Sequence, residues 1–118
     1  MKKRILLSLL IFFAVSLAFA AGPRITLKNS TGYEIAEIFI SPADSDDWGD
    51  DYLGNTTLDD GDSFTVTLPQ PLSAVDTYDF QFIDIDGDSY TQFDVVIRNG
   101  SLIEMTFDDI DDDEDDDE

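Results

Sequence analysis

From residue 24 to residue 107 apolar side chains recur at every second position, the period of strands with one buried and one wet face. Ile25 and Leu27 open a first strand, with Thr26 and Lys28 facing away, and the turn-forming string Asn29-Ser30-Thr31-Gly32 ends it. A second strand is expected over residues 34–41. It sets Ala36, Ile38 and Ile40 on one face and Ile35 and Phe39 on the other, and Pro42 stops it. The clearest alternation runs from Ser63 to Leu68, with Phe64, Val66 and Leu68 inward, and Pro69 and Pro71 close it. Tyr78 to Ile85 and Ser89 to Ile97 form a hairpin about Asp86-Gly87, and Asn99-Gly100 is the same kind of signal ahead of a last strand, Leu102 to Phe107. The pattern predicts an all-β fold, a small antiparallel sandwich or partly open barrel of about six strands.

Residues 42–62 interrupt the alternation with Pro, Asp, Gly, Asn and Ser, the composition of a long loop. Trp48, Tyr52, Leu53 and Leu58 are spaced through it, so parts of it are expected to fold back and pack. Long loops inside small domains often carry function.

The two ends of the chain read differently from its middle. Lys2, Lys3 and Arg4 precede an apolar run from Ile5 to Phe19 that closes on Ala18-Phe19-Ala20, the three-part pattern of a secretory signal helix. The run is broken by Ser8 and Ser16 and is short against the roughly 20 residues of a spanning helix. Cleavage between Ala20 and Ala21 is therefore expected, leaving no membrane anchor and placing the mature chain in the periplasm or outside the cell. At the other end, ten of the eleven residues from Asp108 to Glu118 are Asp or Glu. A like-charge block of this kind is expected to stay solvated and disordered. The organisation is thus residues 1–20 signal, 21–107 β-domain, 108–118 acidic tail.

Loss of the signal sharpens the charge balance. The whole chain stands at −21, but residues 21–118 hold three bases, Arg24, Lys28 and Arg98, against 27 acids, a balance of −24. Nucleic acids and anionic lipids need cations to neutralise phosphate, so neither is an expected partner. Cations or a basic protein surface are. The tail reads either as a solvating brush that keeps the protein monomeric or as a weak sponge for calcium. With no Cys there is no disulfide to support a chain of this size, which must fold by burial.

The same composition removes most chemistry. Without His or Cys there is no Ser-His-Asp triad, no Cys-His pair and no ordinary zinc, haem or iron–sulfur ligation. Carboxylate pairs suited to glycoside hydrolysis are unavoidable among so many acids and carry no specificity. The expectation is a non-enzymatic protein. Two stretches stand out as binding candidates. Asp84-Ile85-Asp86-Gly87-Asp88 sets Asp84, Asp86 and Asp88 around a glycine turn, hard oxygens of the type calcium takes. The spacing is not that of an EF-hand, because the first and twelfth positions would be Phe82 and Phe93, and a plain hairpin tip accounts for the same letters. The second stretch sets Trp48 among Asp46, Asp47 and Asp51, either a partner-binding loop or a cap on one end of the core. Asn29-Ser30-Thr31 and Asn55-Thr56-Thr57 fit the N-glycosylation pattern, but the signal is bacterial in character and favours turn residues.

Asn29-Ser30-Thr31-Gly32, Trp48-Gly49-Asp50-Asp51-Tyr52-Leu53-Gly54 and Asp84-Ile85-Asp86-Gly87 together resemble a family of small exported bacterial β-domain proteins with the pattern N-x-T-G, W-G-x-D-x-L-G, D-x-D-G. The resemblance covers residues 25–107. It implies a β-domain and no particular activity.

Overall fold

The computed structural model describes residues 22–112, so the expected signal segment, the Ala20-Ala21 pair and residues 113–118 of the tail lie outside the described residues. Six strands form: β1 (Arg24–Ser30), β2 (Ile35–Pro42), β3 (Ser63–Thr67), β4 (Thr77–Asp84), β5 (Ser89–Val96) and β6 (Leu102–Thr106). They make two three-stranded sheets, β3-β1-β6 and β2-β4-β5, stacked as a sandwich rather than closed into a barrel.

The alternation explains the core. Ile25 and Leu27 of β1, Val66 of β3 and Ile103 and Met105 of β6 face Ile38 and Ile40 of β2, Phe80 and Phe82 of β4 and Tyr90 of β5. Each such side chain contributes about 1.5–3 kcal/mol when fully buried, and no disulfide adds to this. One departure from strict period 2 decides which residues of β2 go inside. A register slip between Ile35 and Glu37 rotates the strand, so Ile35 joins Ile38 and Ile40 in the core instead of sharing the outer face with Phe39.

The pairing also differs from a run of hairpins. The β4–β5 hairpin forms as expected about Gly87, whose φ of +92° is the left-handed conformation the turn requires. The Asn99-Gly100 turn does not make a hairpin: it carries the chain from β5 in one sheet to β6 in the other. There β6 lies parallel to β1, with Leu27 opposite Ile103 and Asn29 opposite Met105. A short-range turn signal fixes a reversal of direction, not the strand that receives the returning chain.

The long loop folds back, as its apolar residues imply. Leu53 and Leu58 enter the core, and the loop runs along the free edge of β2. Tyr52 N–H donates to Ile38 O at 2.8 Å, and Ile35 and Leu58 exchange both backbone bonds at 2.9 Å. An exposed row of backbone donors and acceptors is thereby covered, which guards a sheet edge against pairing with other chains.

The acidic run begins inside the fold, not after it. Phe107–Asp109 form a short 3-10 helix, Ile110 bridges to Tyr90, and Asp111 N–H donates to Ser89 O at 2.8 Å. The Asp111 carboxylate accepts from the hydroxyls of Ser89 (2.7 Å) and Thr91 (2.6 Å), while that of Asp109 accepts from Thr106 N–H (2.9 Å) and Gln92 Nε2 (3.0 Å). The domain therefore reaches Asp111. These carboxylates are held because hydroxyl and amide donors await them, a complementarity invisible in a charge count.

A chain ending at Phe107 should accordingly be less stable to urea than one ending at Asp112 by about 1–3 kcal/mol, the worth of several such bonds. Coincident unfolding curves would mean that this segment merely rests on β5.

Candidate functional site

The Asp84–Asp88 turn is built around one carboxylate. Asp84 is 2% exposed; its Oδ1 accepts the N–H groups of Asp86 (2.9 Å) and Asp88 (3.0 Å), and its Oδ2 accepts the Tyr90 hydroxyl at 2.9 Å. Burial first, then the Asp84 bond, pushes the Tyr90 phenol well above its ordinary range. Asp86 and Asp88 are exposed, while Asp84 turns inward, so the three do not converge on a common point. Among the described residues no group of three or more Asp or Glu is arranged to hold a metal ion. The local string that offers carboxylates to calcium is the same string that lets one carboxylate close its own turn.

Asn29 plays the equivalent part at the end of β1. Wholly buried, it donates from Nδ2 to Tyr33 O (2.7 Å) and Leu58 O (2.9 Å), and its Oδ1 accepts from the N–H (3.0 Å) and the hydroxyl (2.7 Å) of Thr31. An amide so engaged is a structural side chain, inaccessible to a glycosyl donor in the folded state.

The loop around Trp48 divides into an anchored and a presented part. Asp51 is the anchor: its Oδ1 accepts the N–H groups of Ile38 and Leu53, both at 2.9 Å, and so ties the loop to the edge of β2. Asp46 and Asp47 are exposed, with Asp47 Oδ1 accepting Gly49 N–H at 3.2 Å. Trp48 is half-buried and stands outside the core. Its ring lies 6.5 Å from that of Phe93 on β5, tilted by 40°, and Phe93 is itself 65% exposed. Between residues 47–52 and the end of β2, Ile40 to Pro42, an open cleft of about 470 Å³ is lined by both aromatic and carboxylate side chains. Tyr52 lines it too, and burial first and the Asp50 charge second raise its phenol.

Of the four loop residues singled out from sequence, then, Trp48 and Asp47 line the cleft beside Asp51, whose carboxylate is spent on the backbone, while Asp46 stands in solvent. Asp50 belongs to the same acidic stretch, Tyr52 was expected only to pack, and Phe93 was not singled out. Phe93 leaves one trace in the sequence, an aromatic out of phase with the buried Tyr90 on the same strand.

No protein-family model matches the chain, and no curated protein matches it significantly. It is similar to an NMR structure of a protein from Eubacterium rectale, with a TM-score of 0.52 at 20% identity over 74% of this chain and 85% of that one. Identity at that level speaks to the fold alone.

Asp84→Ala should destabilise the domain by about 2–4 kcal/mol, because two backbone donors and a buried hydroxyl lose their acceptor, whereas Asp86→Ala should stay within about 0.5 kcal/mol of the parent. Urea unfolding of the two variants checks both. Raised phenols at Tyr90, Tyr52 and Tyr78 keep their protons in the folded state after the unfolded chain has begun to lose its own. Their contribution is thus complete below the unfolded value near pH 10 and declines as pH rises above it. A thermal midpoint that falls above about pH 10, and falls less in Tyr90→Phe, is the expected result.

Proposed function

We propose that this chain is an exported, non-enzymatic binding domain whose Trp48 cleft receives the cationic side chains of a basic polypeptide. The observation that carries the reading is the division of labour within residues 43–62. Asp51, Leu53 and Leu58 do the structural work, tying the loop to β2 and filling the core. Trp48 takes no part in that core, yet it is held beside an open cleft with the carboxylates of Asp47 and Asp50 in its lining.

An aromatic face beside acids attracts a cation twice, through the ring quadrupole and through charge. The background field has the same sign, since residues 22–112 hold 21 acids and three bases. Arg and Lys side chains, which also bring an apolar stem to lay on the indole, match this surface. Calcium at the Asp84–Asp88 turn is the weaker form of the cation reading. With Asp84 committed to its turn, two exposed carboxylates remain against the six to eight oxygens the ion takes.

Titration of the protein with oligo-arginine and oligo-lysine nonapeptides, followed by the fluorescence of its single Trp, tests the proposal. Saturable binding that weakens with salt, and that Trp48→Ala reduces by about threefold or more, is expected. Equal binding by parent and Trp48→Ala would reduce the interaction to diffuse charge attraction and leave a purely structural role for the domain.

A further inference from the structure

Phe93 faces Trp48 from a place where the ladder beneath it is out of register. The ladder between β4 and β5 slips between Tyr78 and Phe80: Tyr78 pairs with Val95 and Phe80 with Gln92, so Phe93 and Asp94 together oppose Asp79. Asp94 has φ of +57°, the positive-φ non-glycine among the described residues. A side chain in that region is strained, although Asp tolerates it better than most. What holds it is Asp79. This carboxylate is 8% exposed even though its neighbours Tyr78 and Phe80 are the ones that face the core, and its Oδ1 accepts the Asp94 N–H at 2.8 Å. A buried charge is costly unless it is paired or hydrogen-bonded, and an extra residue in a strand leaves an N–H that needs an acceptor. Each feature supplies what the other lacks. Ser41, the partner of Asp79 on β2, lines the Trp48 cleft, so the bulge lies in the row of the sheet that borders the cleft.

We infer that Asp79 is a positioning residue: by holding the Asp94 bulge it aims Phe93 at Trp48, and the tilted ring pair it creates selects the guanidinium of arginine over the ammonium of lysine. This rests on the cation-binding reading of the cleft. A guanidinium is planar, stacks on aromatic faces and forks its donors to carboxylates, whereas an ammonium is a compact, strongly hydrated point charge. A ring pair of which one member, Trp48, lines a cleft with Asp47 and Asp50 suits the first geometry.

The test separates position from binding. In the parent, nuclear Overhauser contacts between the Trp48 and Phe93 rings are expected, together with a preference for oligo-arginine over oligo-lysine of about threefold or more. Asp79→Ala should lose the ring contacts and the preference together. Asp79→Asn, which keeps an acceptor oxygen for Asp94 N–H, should restore both. Phe93→Ala, a change at an exposed site that leaves the core intact, should lose the preference with the bulge still formed. Ring contacts that persist in Asp79→Ala would overturn the positioning role. Lost contacts with an unchanged preference would overturn its link to selectivity. A parent that binds neither peptide, while Asp79→Ala still loses the contacts, would defeat the reading of the cleft and the selectivity together, yet uphold Asp79 as the residue that positions Phe93.

Discussion

The fold depends on side-chain oxygens that accept backbone N–H groups where the chain leaves regular structure. Asn29 at the end of β1, Asp51 in the long loop, Asp84 at the β4–β5 turn and Asp79 at the β5 bulge each do this with a mostly buried group. Three of them serve more than one partner: Asn29 joins four groups, Asp51 two and Asp84 three. A sandwich of two three-stranded sheets has little core to spare, and turns that drift would take core residues with them. Acceptors fixed in this way keep the turns in place without disulfides.

That dependence changes the meaning of the acidity. In a protein of net charge −24 after the expected cleavage, carboxylates look like a solvent-facing excess. Several are instead among the best-engaged side chains in the molecule, because an ionised carboxylate accepts N–H and O–H groups more strongly than a neutral oxygen does. The remaining acids of the described residues, such as the exposed Asp44, Asp46 and Asp86, set the field in which any partner approaches. Two populations of the same residue type thus hold two different jobs, and the donors that reach each carboxylate tell them apart.

Strand positions were legible in the sequence, since period-2 patterning and turn residues are local. Ser63 to Leu68 was expected and Ser63–Thr67 formed; the hairpin about Gly87 appeared within a residue or so at each end. Strand order was not legible, because nothing near Leu102 says that β6 will lie parallel to β1. Bulges were missed for a related reason: one extra residue in a ladder, at Ile35 to Glu37 or at Phe93 to Asp94, inverts the parity from which inside and outside are read. The end of the domain was misplaced because Asp109 and Asp111 look like tail until their partners Gln92, Ser89 and Thr91 are brought alongside. Of the site, Trp48 and the outward phase of Phe93 were legible, while the approach of one ring to the other was not.

Asp51 ties the long loop to β2 from one side, and Ala43 N–H, bonded to Thr77 O at 3.0 Å, ties it from the other. The stretch from Asp44 to Asp50, exposed apart from the half-buried Trp48, is therefore strung between two fixed posts and adds no side chain to the core. Loop length and composition can change there at small entropic penalty, as in scaffolds that carry interchangeable recognition loops. The chain is, in that sense, a ready-made frame for grafting: a different peptide between the same posts would give a different specificity on an unaltered sandwich.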